Sequence, residues 1–174
     1  MIVSKQFRFE ASHQLNGYEG KCARLHGHSW ILNVVVEGMI NPKTGMVYDY
    51  VDLKSAIQPI VDRLDHQHLG FGTVQGVLLR NTVEGLPSDF LPTSENLLWW
   101  IATQIPLSLN WHCLELSETC TCNAVLLREE YERAITMETC LNKTVRKEAT
   151  MATKKSAKKD KKMPKNKKSA KEVK

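Results

Sequence analysis

The stretch "HGHSWILNVVV", residues 26–36, alternates without interruption: His26, His28, Trp30, Leu32, Val34 and Val36 share one parity. Successive side chains of a strand point to opposite faces, so this is a strand whose one face is apolar and opens on two imidazoles. Upstream, "VSKQFRFEASH", residues 3–13, repeats the pattern with Val3, Phe7, Phe9, Ala11 and His13 on one parity. If the two strands are neighbours, His13, His26 and His28 enter a single layer. Three neutral imidazoles with one open position form the ligand set of a catalytic zinc site, whose fourth place takes water or substrate. Cys22 lies in the intervening loop, four residues before His26. Spacing leaves it two roles: a fourth ligand that closes a structural site, or a thiol that faces the metal without binding it.

Outward from these strands the pattern changes. "NPKTG" at 41–45 carries turn residues that end the second strand, and "MVYDY" reads as a short extended piece after it. Leu53, Ala56, Ile57, Ile60, Val61 and Leu64 then recur at helical spacing, with Asp49 or Asp52 available as N-cap. Residues 70–92, rich in Gly and Pro, read as a connection, after which Thr93 caps a second helix over "SENLLWWIATQI". "CLELSETCT", residues 113–121, alternates as another strand and places Leu114, Leu116 and Glu118 on one face. This order predicts an α+β domain, an antiparallel sheet with two helices packed on one face. Glu118 enters the end of an apolar face, where a carboxylate needs a partner: either paired N–H donors of a ligand or an internal Lys or Arg. Cys113, Cys120 and Cys122 read as packing residues, because a lone C-x-C pair lacks the second pair of a structural zinc site.

Composition bounds the function classes. With 174 residues, 42% hydrophobic and 25% charged, the chain suits one soluble domain. It holds no eighteen-residue apolar run, and its N-terminus lacks the features of a secretory signal, so a cytoplasmic address without membrane association is expected. Five cysteines at irregular spacing argue against a disulfide framework. The net charge of +5 conceals a division: residues 143–174 carry fourteen Lys or Arg against three acidic residues, leaving ten basic and sixteen acidic residues in 1–142. The Lys-rich segment 143–174 has too few large apolar residues to offset its ordering entropy and is expected to be disordered. It suits non-specific, salt-sensitive contact with nucleic acid.

Six segments in order, "FRFEASHQL", "CARLHGHSW", "GMVYDYVDLK", "RLDHQHL", "PTSEN" and "SETCT", resemble the 6-pyruvoyl-tetrahydropterin and 6-carboxytetrahydropterin synthase family. The resemblance spans roughly residues 3–128, within a domain taken as 1–142, and the three residues between Cys22 and the HGH motif look like the carboxy branch of 7-deazaguanine and queuosine synthesis. It implies the tunnelling fold (T-fold), a barrel-forming homo-oligomer built on trimers, with a hexamer expected, and sites between subunits. It also implies Zn2+ on His13, His26 and His28, catalysis by Cys22 with Asp65 and His66, and a pterin triphosphate substrate anchored by Glu118. His68 competes with His66 for the general-acid role. Glu95 and Arg24 are further candidate substrate contacts, although Glu95 is also favoured by the helix dipole where it stands. Three departures from the family pattern stand out: Gly70 where Asn is common, Leu126 where Tyr is usual, and the basic tail.

Overall fold

A computed structural model describes residues 1–75, 77–80, 83–87 and 89–139. Cys140 and the Lys-rich segment 143–174 lie outside the described residues. The chain runs β1 (Ile2–His13), a 3-10 turn (Lys21–Ala23), β2 (His26–Glu37), α1 (Tyr50–Leu64), β3 (Gln67–Leu69), β4 (Gly72–Val74), β5 (Val77–Leu79), α2 (Ser94–Gln104), β6 (Trp111–Ser117) and β7 (Asn123–Leu127). A third helix occupies 128–139. The compact body is Met1–Tyr131, and Glu132 begins a second unit, of which 132–139 are helical. Among the described residues no helix is long and apolar enough to cross a membrane.

The main sheet has the order β3-β1-β2-β6-β7. Both long strands anticipated from alternation form, and they pair antiparallel over their whole length, from Ile2 opposite Glu37 to His13 opposite His26. Strands β2–β6 and β6–β7 are antiparallel as well, whereas β3 adds to the edge of β1 in parallel. Only three residues long, β3 is too short to show a period. Two other segments also differ from the sequence reading. Residues 46–49 are irregular rather than an extended piece, following a turn at 42–44 that the Asn41 N–H closes by donating to the Met46 carbonyl at 2.8 Å. Within 70–92, β4 and β5 pair as a small separate hairpin.

One face of the sheet carries the core. Phe7, Phe9, Trp30, Leu32, Val34, Leu114 and Leu116 are buried there against Leu53, Ile57, Ile60, Val61 and Leu64 of α1 and Leu97, Leu98 and Ile101 of α2. Each such side chain contributes about 1.5–3 kcal/mol on leaving water. Both helices begin at the caps their sequences announce. The Asp49 carboxylate accepts from the Val51 N–H at 2.7 Å, and the Thr93 hydroxyl accepts from the Asn96 N–H at 3.3 Å.

The departure at position 70 has a backbone cause. Gly70 has φ +78°, a left-handed conformation that Gly adopts freely and Asn tolerates better than other residues. A Cβ there would stand 2.8 Å from Pro92 Cδ and 2.9 Å from the Phe90 carbonyl oxygen, so in this chain only Gly fits. Leu126 packs, partly buried, against the core.

The Asp49 cap is solvent-exposed, so its contribution is local. Replacing Asp49 with Ala is expected to lower stability by about 1 kcal/mol. A denaturant midpoint that does not move would show that α1 starts without it.

Candidate metal centre and the Asp65–His66 groove

The register of β1 and β2 sets His13 opposite His26 and Ala11 opposite His28. The glycine between the two β2 histidines is required by closeness: a Cβ on Gly27 would lie 3.3 Å from the Ala11 carbonyl oxygen. His13 is 1% exposed, the one buried polar or charged residue among the described residues, and its ring centroid lies 4.4 Å from that of His26 and 5.1 Å from that of His28.

Backbone carbonyls orient two of the rings. His13 Nδ1 is 2.7 Å from the Pro92 carbonyl oxygen, and His26 Nδ1 is 2.7 Å from the Arg24 carbonyl oxygen. A carbonyl can only accept, so both Nδ1 atoms carry the proton and both Nε2 atoms present lone pairs. Those two Nε2 atoms are 3.0 Å apart. Glu118 adds a carboxylate to the same point, its Oε1 lying 3.1 Å from His13 Nε2 and 3.2 Å from His28 Nε2. His28 Nε2 is buried and, despite that proximity, is not aligned for a hydrogen bond. The lone pairs of two imidazoles thus converge with the His28 Nε2 and a carboxylate, with all four donor atoms within 4.8 Å of one another. Without a cation this arrangement is repulsive; a cation would be held there by an N/O donor set. The residues fit a metal ion.

Burial is the first cause that holds His13 below the usual imidazole pKa; the Pro92 carbonyl and Glu118 oppose it, while His26 and His28 reinforce it. His28 is depressed for the same leading reason. Both are therefore neutral near neutral pH, as metal ligands must be.

Cys22 is not a member of the four-donor group. It sits half-buried in the 3-10 turn, and the loop is tied to the end of β1 by the Leu15 N–H donating to the Cys22 carbonyl at 2.9 Å and by Gln14 Nε2 donating to the Ala23 carbonyl at 2.8 Å. The Arg24 side chain is exposed, and the residue contributes its carbonyl to the site. Glu95 stands exposed in the first turn of α2, where Ser94 Oγ donates to its carboxylate at 3.4 Å. Its helix starts two residues after Pro92, whose carbonyl orients His13.

Asp65 and His66 form a second constellation, just past the C-terminal end of α1. His66 Nδ1 is 2.9 Å from Asp65 Oδ2, and Asp65 Oδ1 accepts the Glu10 N–H at 2.8 Å. The Glu10 N–H, then the bond to His66, hold the Asp65 carboxyl below its ordinary value. His66 lies in the left-handed region at φ 57°. With Glu10, Ser12, His28, Gln67 and His68 it lines an open groove of about 490 Å3, which therefore reaches one member of the histidine cluster. His68 faces Ser12, its Nδ1 3.1 Å from Ser12 Oγ, and burial lowers its pKa.

One sequence reading is corrected here. Cys113 is buried, and burial raises its thiol pKa, but Cys120 and Cys122 are exposed at the tip of the β6–β7 hairpin. Strand alternation stops at Ser117, and the two thiols fall in the turn beyond it. All four cysteines among the described residues are free. The orienting carbonyls of Arg24 and Pro92 left no mark on side-chain patterns, because backbone oxygens have none.

A sheet backed by helices, with His nitrogens that could hold a metal ion converging at the end of its two longest strands, defines an α+β protein of the T-fold type. The family model described as 6-pyruvoyl tetrahydropterin synthase matches residues 2–130, and the chain belongs to that family, a family of lyases. It is 39% identical over 127 residues to the 6-carboxy-5,6,7,8-tetrahydropterin synthase of Synechocystis sp., covering 69% of this chain and 88% of that protein. It is 35% identical over 101 residues to a dihydroneopterin monophosphate aldolase of Pyrococcus furiosus, covering 58% of this chain and 71% of that one. In fold it matches the Caenorhabditis elegans 6-pyruvoyl tetrahydropterin synthase with a TM-score of 0.61 at 21% identity, over 73% of this chain and 94% of the other.

His28→Ala is expected to lower metal affinity by more than the roughly 10- to 100-fold typical of losing a group that only supports a ligand. His68→Ala should leave the metal content of the purified protein unchanged. Metal analysis of the two variants tests the donor set, and equal metal in both would dismiss it.

Proposed function

We propose that this chain is a zinc-dependent 6-carboxytetrahydropterin synthase. It converts 7,8-dihydroneopterin triphosphate to 6-carboxy-5,6,7,8-tetrahydropterin with loss of acetaldehyde and triphosphate, on the route to queuosine and other 7-deazaguanines. The observation that carries the reading is the convergence of three His donors with Cys22 outside the donor set. The Synechocystis relative adds the reaction type.

A cation held by His13, His26 and His28 supplies Lewis acidity, which acidifies C–H bonds of the substrate's polyol side chain. Cys22 serves as the base that takes such a proton, from a loop tethered beside the end of β1. Asp65, ionised, accepts from His66 Nδ1 and so leaves His66 Nε2 to deliver or remove a proton. His66 is 78% exposed, so it is offered outward, and a second copy of the chain completes the site by bringing this pair to the histidine cluster. The two oxygens of a carboxylate match the adjacent N–H donors of a pterin edge, a role for Glu118 or Glu95. Arg24, exposed beside the metal loop, is assigned the contact with the triphosphate.

Zinc-loaded protein incubated with 7,8-dihydroneopterin triphosphate should yield 6-carboxytetrahydropterin and acetaldehyde by mass spectrometry. Cys22→Ala should abolish turnover while zinc content stays at the wild-type level. A pyruvoyl product, or loss of zinc from the Cys22 variant, would refute the assignment.

For the Lys-rich segment we propose non-specific nucleic-acid contact. Truncation after Asn142 should leave turnover intact and remove binding to DNA or RNA at low salt. Binding that survives truncation counts against this role.

A further inference from the structure

Glu118 is a carboxylate in the company of lone pairs. A single oxygen, Oε1, stands within 3.2 Å of the Nε2 atoms of both His13 and His28, and the carboxylate completes the group of four donors. A catalytic metal needs a place for substrate, whereas four protein donors close the tetrahedral set. The two requirements agree only if one donor can leave.

The surroundings single out which donor that is. Ring contacts and carbonyl hydrogen bonds hold His13 and His26, and His28 is packed edge-on against His13, His26 and Trp30. Glu118 begins the hairpin tip, one residue after β6 ends, and is 24% exposed. Its backbone is fixed: its N–H donates to the Cys122 carbonyl at 3.1 Å, while the Thr119 hydroxyl accepts from the Thr121 and Cys122 N–H groups at 3.3 and 3.1 Å. Departure of the carboxylate therefore requires only rotation about its own side-chain bonds, with no movement of the loop.

We propose that Glu118 is an exchangeable fourth donor: it occupies the remaining metal position in the resting protein and gives it up to the oxygens of an incoming polyol side chain. Once released, the carboxylate is free to accept N–H donors of the same ligand. The exchange rests on the metal and substrate reading above. It also gives the resting site a physical benefit, since a closed set keeps water from the metal until substrate arrives.

The test uses the full chain loaded with Co2+, whose visible spectrum reports donor type and number, and neopterin as the polyol-bearing probe. Glu118→Gln is expected to weaken Co2+ binding roughly 10- to 100-fold, the scale of losing a supporting group at a metal site. It should also change the resting spectrum, while Glu118→Asp retains a carboxylate signature and circular dichroism confirms that both variants fold. Neopterin should shift the wild-type spectrum and shift that of the Gln variant less. An unchanged spectrum and affinity in Glu118→Gln would overturn the proposal. A changed spectrum in that variant with no response of wild type to neopterin would make Glu118 a permanent ligand and overturn the exchange. Failure of the underlying reading is separately visible: wild type would then bind no Co2+, or His28→Ala would bind it as well as wild type.

Discussion

The pairing of β1 with β2 is the constraint on which the rest depends. Twelve residues of each strand pair without a bulge, and the last pair is His13 opposite His26. Side-chain direction has a period of two, so a slip of one residue would turn an entire strand over. Phe7, Phe9 and Ala11 would then leave the core together with His13. The apolar residues that stabilise the register are thus the same device that holds the imidazoles in one layer. Stability and site geometry are set by one choice.

That coupling extends to remote parts of the chain. Pro92, seventy-nine positions from His13, orients its ring through a carbonyl. Pro92 is itself buried at the start of the α2 cap, against the Gly70 backbone that tolerates no Cβ. A short stretch of irregular chain therefore needs a left-handed glycine, a capped helix and a buried proline in order to place one oxygen atom. The Gly found at 70 in place of the family's Asn preserves the backbone conformation and removes a side chain for which there is no space, so it leaves this support intact.

Much of this was legible in the sequence because alternation is a direct image of strand geometry. His13, His26 and His28 could be grouped from parity alone, and Glu118 could be placed beside the end of an apolar face. What parity could not show was distance along the third dimension. That one Glu118 oxygen stands at the histidine cluster follows from β6 stopping at Ser117 next to β2, which parity does not report. The parallel strand β3 and the β4–β5 hairpin were missed because three-residue strands carry no period. Cys120 and Cys122 were read as buried by extending the alternation past the point where the strand turns.

His66 shows how the fold holds an unfavourable conformation in place. A left-handed non-glycine residue costs about 1–2 kcal/mol, and such strain persists only where its surroundings over-determine it. Here the backbone of a single residue of β1 does so. The Glu10 carbonyl accepts the His66 N–H at 2.6 Å, and the Glu10 N–H donates to Asp65 Oδ1 at 2.8 Å. The Asp65 side chain then turns its other oxygen to the His66 ring. The backbone is clamped while the imidazole remains largely in solvent. A core histidine would bury its ring, and a merely tolerated surface histidine would relax its φ. A clamped backbone carrying an outward, carboxylate-oriented ring is the arrangement expected of a group that acts on something outside its own fold.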